Sequence, residues 1–227
     1  FCLLKILIMN KLIMYLAFCL AVVGCAMADR QCEEVMSEAD KVMEANPDSA
    51  AVSIRLLDGI SSRVSSLPTR QQMRYHLLYA KAMNKGFVDF TSDSKMKQVC
   101  EYDDSHGTDY EKMMANYLLG CVYRDLGESP RAIYHYERAA GYPGDDRETY
   151  LLKGRIYGQE AELLHRLALV EQECRALDMT AKYDMLAGDS ISATIAISQK
   201  ARAYSLIDKH DATIYYNNVA VERFKEL

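Results

Sequence analysis

The sequence predicts an all-helical (all-α) repeat protein, an α-solenoid of about five helix pairs. Apolar residues recur at helical spacing through most of the 227 residues, and small residues recur every 40 or 41 positions. A period of this length is typical of stacked helix pairs, because no single pair can bury its apolar face without its neighbours. The repeated small residues are Ala39, Ala80, Gly120, Ala161 and Ala201. Three positions after each comes a larger side chain: Val42, Met83, Tyr123, Leu164 and Tyr204.

Ten helices follow from the apolar spacing and from the helix start and stop signals. The first is expected over residues 31–45, and Pro47 opens a second whose apolar stripe includes Ile54 and Leu57. A Ser-rich stretch ending at Pro68 separates this pair from the next one. The other helices are expected at residues 69–84, 92–104, 109–126, 129–140, 146–165, 170–187, 189–207 and 211–226.

Residues 1–24 are expected to form a signal or anchor helix before the solenoid, with residues 1–8 upstream of a start-like Met9. Lys11 precedes thirteen uncharged, mostly apolar residues. A helix of that length rises only about 20 Å, short of the roughly 30 Å hydrocarbon core, which favours a cleaved signal over a transmembrane span. An uncleaved anchor is the alternative.

The four residues that end at Cys25, Val-Val-Gly-Cys, resemble the bacterial lipobox, in which small residues precede a cysteine that is acylated before cleavage. We therefore expect lipidation at Cys25, a short linker over residues 25–30 and the solenoid over residues 31–227. The resemblance implies a membrane-anchored lipoprotein of the bacterial cell envelope that faces an extracytoplasmic space, such as the periplasm.

Composition and motifs argue against nucleic-acid binding and against catalysis. The formal net charge is −5 and the basic residues form no run, so phosphate binding is not expected. The five histidines are dispersed, and no C-x-x-C pair, P-loop or nucleophile elbow occurs. Asp103-Asp104 and Asp145-Asp146 lie beside glycines and are expected to cap helices in turns. The chain is thus predicted to need no metal or cofactor and not to be an enzyme.

A motif in the middle of the chain resembles the tetratricopeptide repeat, L-G-x-x-Y…G…A-x-x-x-F…A. Asn116 takes a place where that family usually has Trp or another large apolar residue, and the period is near 40 where the family has 34. Longer loops, or helices extended by a turn, are expected to absorb the difference. The matching residues are Leu119, Gly120, Tyr123, Gly127, Ala132, Tyr136 and Ala139.

The chain is similar to exported tetratricopeptide proteins of Gram-negative bacteria, a resemblance that implies a scaffold holding a protein or peptide partner in a concave groove. The alternative is the sensor part of a membrane-bound signalling or transcriptional regulator whose chain continues past Leu227. A carbohydrate-binding lipoprotein or an enzyme is a third class, without an aromatic platform or acid pair to favour it. The register of the resemblance places these residues in the groove: Tyr117, Arg124, Asp125, Glu162, His165, Arg166, Gln199 and Arg202.

Overall fold

The computed structural model describes residues 29–45 and 49–227, and every regular element in these residues is a helix. The all-α prediction is confirmed for this part of the chain. The expected signal peptide and Cys25 lie outside the described residues. Helix α1 covers residues 29–45. The later elements are α2 (Ala50–Asp58), a 3₁₀ helix (Ser61–Ser66), α3 (Thr69–Lys85), α4 (Ser94–His106), α5 (Asp109–Asp125), α6 (Ser129–Ala140), α7 (Arg147–Arg166), α8 (Val170–Leu186), α9 (Ser190–Ser205) and α10 (His210–Glu226).

For α3 to α10, the helix bounds stated from the sequence lie within two residues of the observed ones, whereas α2 begins at Ala50, three residues after Pro47. Side-chain caps mark the starts of α5, α7 and α9. Thr108 and Glu111 form a reciprocal capping box at the start of α5. Asp146 caps α7, since its carboxylate accepts the Thr149 backbone N–H at 2.9 Å. The expectation for Asp103 and its neighbour was wrong: both lie in the last turns of α4, and Asp103 is buried.

The first of two compact units ends at Phe87 and contains α1, α2, the 3₁₀ helix and α3. Its core is continuous from Cys32 in α1 to Ala82 in α3. The Ser53 hydroxyl of α2 donates a buried hydrogen bond of 2.8 Å to the carbonyl of Ala39. Helix α2 therefore meets α1 at the first of the repeated small residues.

The second unit runs from Val88 to Leu227 and is a series of packed consecutive helices. Each of α4 to α9 contacts the next helix in sequence, and α5 also contacts α7. One core cluster joins α7, α8 and α9 through Ala161, Leu177 and Ala196. The prediction that consecutive helices pack against each other in pairs is confirmed.

Four connections in this unit share one turn, the Schellman motif that ends helices in a left-handed residue. Gly127, Ala168, Gly188 and Asp208 have φ values of 75°, 55°, 76° and 56°. The next N–H returns to a carbonyl five residues back, for example from Leu169 to Leu164 at 3.0 Å. These turns connect α5 to α6 and link α7 through α10, so neighbouring helices there run antiparallel.

All five repeated small residues are buried, one in each odd-numbered helix from α1 to α9. A Cβ atom on Gly120 would lie 2.5 Å from a ring carbon of Tyr136, so α5 and α6 approach too closely for any larger residue. Within one period near 40, α7 is 20 residues long and α8 is 17. A longer connection over residues 141–146 follows α6.

Candidate functional site

The eight residues predicted to line the groove lie on α5, α7 and α9, the first helices of their pairs. Glu162, Arg166 and Arg202 are exposed, whereas Tyr117 is buried, with 6% of its surface exposed. The remaining four are partly buried. They are Arg124, Asp125, His165 and Gln199. The accessible part of the predicted surface is therefore on α7 and α9.

Three predicted residues meet around Glu173, a carboxyl group on α8 whose side chain is fully buried. His165 lies with its Nδ1 2.9 Å from a Glu173 oxygen. The Arg202 guanidinium approaches that oxygen at 3.9 Å and the exposed Glu162 carboxylate at 3.3 Å. This group, which we call the Glu173 cluster, joins α7, α8 and α9 and keeps Arg202 about half exposed.

A second polar group lies at the end of α5. The Arg124 guanidinium donates to its neighbour Asp125 at 2.8 Å and also hydrogen-bonds the amide oxygen of Gln159 on α7. The other carboxylate oxygen of Asp125 accepts the backbone N–H of Phe90 at 3.2 Å. These side chains already have partners within the fold, so they hold α5, α7 and the segment before α4 together.

Burial of α5 explains why Tyr117 is not at the surface. Every residue of α5 from Met113 to Tyr123 is buried. Helices α4, α6 and α7 all contact α5. The segment before α4 also reaches it, since the Tyr123 hydroxyl donates to the Asp93 carboxylate at 3.2 Å. Amphipathic spacing alone does not reveal a helix that is enclosed on so many sides.

Asn116, where the sequence differs from the tetratricopeptide motif that it resembles, pairs with a histidine of α6. Asn116 is fully buried, and its amide oxygen lies 3.0 Å from Nδ1 of His135 on α6. The amide nitrogen donates to the Lys112 carbonyl at 2.9 Å. Burial, with nearby Arg138 and Arg131, lowers the pKa of His135 to about 4. A neutral histidine therefore hydrogen-bonds the buried Asn116 between α5 and α6.

Ion pairs between successive first helices follow the 40-residue period, and the sequence reading missed them. Asp40 and Lys81, each directly after a repeated alanine, pair at 2.8 Å between α1 and α3. Glu162 and Arg202 occupy the same repeat position in α7 and α9. Both pairs could have been predicted from the sequence, because residues of opposite charge lie one repeat period apart. Glu173 gave no comparable signal, since its burial depends on how α7 and α9 pack on α8.

The described residues contain no group of three or more histidine, cysteine or acidic side chains that could hold a metal ion. Cys32, Cys100, Cys121 and Cys174 are buried free thiols. Burial raises the pKa of Cys100 to about 12 and that of Cys121 to about 11, which makes these thiols weak nucleophiles. None of the helices in residues 29–45 and 49–227 is long and apolar enough to cross a membrane.

Comparison with known proteins supports the fold alone. No family model matches the sequence, and no curated protein matches it. A crystal structure of BtubC (BKLC) from P. vanneervenii matches 89% of this chain and 91% of its own, with a TM-score of 0.54 and 10% sequence identity. At that identity the likeness extends to an all-helical fold of packed consecutive helices and not to an activity.

Proposed function

We propose that this chain is a tetratricopeptide-type α-solenoid that binds a segment of another protein along α7 and α9, with the end of α5 at the edge of the surface. No catalytic step is required. Binding of this kind places a helix or an extended peptide in a groove between helices, where a few anchored side chains supply most of the specificity.

The Glu173 cluster is the observation that carries this proposal. Exposed ion pairs such as Glu162–Arg202 contribute only about 0–1 kcal/mol to stability, so their groups can exchange partners without unfolding the protein. The buried Glu173 carboxyl group contacts His165 and Arg202 from beneath and restricts their positions. Side chains that are exposed and also positioned by a second set of contacts are suited to recognition.

We further propose that the solenoid is held at a membrane surface of a bacterial cell envelope by acylation of Cys25. The support is the lipobox-like sequence that ends at this residue. Each buried methylene of an acyl chain contributes about 0.8 kcal/mol to membrane binding, and lipid chains can therefore anchor a protein that has no membrane-spanning helix.

A site-specific photo-cross-linker tests the binding surface. The photoreactive residue p-benzoylphenylalanine at Gln199 would report on α9 beside Arg202, and the same residue at Tyr134 is the matched control. Tyr134 is 56% exposed but lies on α6, a second helix. In cell-envelope extract of the source organism, we expect one discrete protein adduct from position 199 and none from position 134.

A second pair of variants controls for nonspecific adducts. Arg202→Gln should remove the adduct formed at position 199. Arg131→Gln should leave it, since Arg131 is an exposed arginine on α6 that pairs locally with Glu128. Equal adducts at both cross-linker positions, or an adduct that persists in Arg202→Gln, would contradict binding at the Glu173 cluster.

A further inference from the structure

Lys153 on α7 is a buried lysine without an acidic partner. Its exposed fraction is 8%, and among the described residues it forms no ion pair and no hydrogen bond. Its Nζ atom still reaches solvent. Burial, with the nearby charge of Lys182, lowers the pKa of this ammonium group. Removing an ammonium group from water is costly unless an opposite charge compensates it, so an anion from solution would stabilise this site.

A second buried lysine shows what Lys153 lacks. Lys200 on α9 is 6% exposed, and its Nζ atom lies 2.7 Å from a carboxylate oxygen of Asp178. The same atom lies 4.3 Å from the ring centroid of Tyr216. Burial opposes the charge of Lys200, but hydrogen bonds with Asp178 and Tyr216 prevail and raise its pKa. Lys153 also lies over a tyrosine ring, but it has no carboxylate.

The ammonium group of Lys153 belongs to a group of two lysines and three tyrosines between α7 and the end of α8. The Nζ atoms of Lys153 and Lys182 lie 5.5 Å and 5.4 Å from the ring centroid of Tyr183. The ring centroids of Tyr157 and Tyr150 lie 5.7 Å and 6.1 Å from that of Tyr183. Lys182 is exposed and the tyrosines are half-buried, so the group opens to solvent. We call these five residues the Lys153 cluster.

Acidic side chains of the neighbouring helices do not compensate the charge of Lys153. Glu160 on α7 interacts with Glu137 on α6. Asp184 on α8 interacts instead with Arg155. None of these carboxylates raises the pKa of Lys153, which is changed by burial and by the second lysine. A positive charge therefore remains uncompensated at the Lys153 cluster.

We propose that the Lys153 cluster binds a dianionic phosphate group, either free phosphate or a phosphate monoester. Two ammonium groups supply the two positive charges that such a group requires, and each can donate to any of its oxygens. A carboxylate has one charge and a planar shape, which the planar fork of an arginine matches better, and the cluster contains no arginine. Because the two lysines lie on different helices, no run of basic residues reveals them in the sequence.

Tyrosine hydroxyls supply further donors at this site. Those of Tyr150, Tyr157 and Tyr183 have no hydrogen-bond partner among the described residues. Burial, with Tyr183 and nearby acids, raises the pKa of Tyr157, so its hydroxyl stays protonated. A protonated phenol can donate a hydrogen bond to a phosphate oxygen.

The Lys153 cluster is separate from the proposed protein-binding surface. It lies near the start of α7 and the end of α8, whereas the Glu173 cluster lies at the end of α7 and the start of α8. Phosphate binding therefore does not depend on the proposed function, and the two can fail independently.

Isothermal titration calorimetry of the full chain tests the inference near neutral pH and at constant ionic strength. The probes are inorganic phosphate, phenyl phosphate and acetate. We expect saturable binding of both phosphates with Kd below about 1 mM, and at least about tenfold weaker binding of acetate. Equal affinities for the two phosphates indicate that free phosphate is the ligand. Tighter binding of phenyl phosphate indicates a phosphate monoester.

Lysine variants show whether the phosphate binds at this cluster. Lys153→Met keeps an unbranched side chain without the ammonium group, and it should weaken phosphate binding at least about tenfold. Lys182→Met should also weaken it, and this residue is exposed, so the variant should fold normally. Lys95→Met, at an exposed lysine on α4, is the matched control and should leave phosphate binding unchanged. Circular dichroism checks that each variant folds.

Three outcomes would overturn the inference. The first is no saturable binding of either phosphate, and the second is acetate binding as tight as phosphate binding. The third is equal phosphate affinity in wild type, Lys153→Met and Lys182→Met. Arg202→Gln separates this inference from the proposed function, because it should remove the cross-link at position 199 and leave phosphate binding unchanged.

Discussion

Replacing Gly120 with alanine adds one methyl group where α5 meets α6. The new Cβ would lie 2.5 Å and 2.6 Å from two ring carbons of Tyr136, whereas carbon atoms in contact are ordinarily about 3.5–4.0 Å apart. The Tyr136 side chain is fully buried and cannot swing into solvent. The ring or the helix must therefore move by about 1 Å.

Two opposing terms set the size of the effect. Overpacking of this kind costs about 1–3 kcal/mol, and we place Gly120→Ala at the upper end because a rigid ring receives the contact. Alanine is favoured over glycine inside a helix by about 1 kcal/mol. The net loss of unfolding free energy is then about 1–2 kcal/mol, which lowers Tm by about 2–8 °C. Gly120→Leu should lose more.

Gly158 on α7 provides the matched control. Its added Cβ would meet only Thr180, at 3.9 Å, so Gly158→Ala should gain about 0.5–1 kcal/mol from helix propensity without a clash. Urea unfolding followed by circular dichroism measures both changes. In a Tyr136→Leu background the clash is removed and Gly120→Ala should become stabilising. A stabilising Gly120→Ala in the wild-type background would refute the close approach of α5 and α6.

Three further predictions concern a turn, a buried acid and the lipid anchor. Ala168→Gly should raise the unfolding free energy by about 1 kcal/mol, and Gly188→Ala should lower it by a similar amount. Both positions have left-handed backbone, with φ near 55° and 76°, which glycine adopts more easily than alanine. Urea melts must show changes of opposite sign for the two variants. One buried carboxyl oxygen of Glu160 has no hydrogen-bond partner among the described residues, and burial, with the charge of Glu137, raises its pKa from 4.5 to about 7. Folding therefore favours the protonated form of Glu160, and wild-type stability falls as pH rises from 4.5 through 7. Glu160→Gln cannot ionise, so at pH 8 it should retain about 1–2 kcal/mol of the unfolding free energy that wild type loses. If Glu160→Gln and wild type show the same pH dependence in melts, the prediction is contradicted. Cys25→Ala should abolish labelling by a clickable fatty acid and release the protein from membranes, so unchanged fractionation would exclude the lipoprotein.

Sequence patterns located the helices of this protein because the signals are local. The capping box at Thr108, the Asp146 cap and the glycine after α8 each define a helix end from neighbouring residues. The repeated small residues also indicated where helices approach closely, since a position such as Gly120 that tolerates only a small side chain can be recognised in the sequence.

Contacts between residues far apart in the sequence could not be predicted from local patterns. The burial of Tyr117 depends on helices and a segment that approach α5 from several sides. The role of Glu173 depends on His165 and Arg202, which are brought to it by two different helices. The pairing of Glu162 with Arg202 is an intermediate case, because their separation of one period could have indicated it.

Hydrogen exchange read by mass spectrometry tests the central claim, that α7 and α9 form the binding surface, most directly. The full chain would be compared with and without the purified protein recovered by cross-linking at Gln199. We predict slower exchange in residues 155–166 and 195–205 and unchanged exchange in residues 129–140 of α6. Protection confined to α6, or no protection in α7 and α9, would contradict the proposed binding surface.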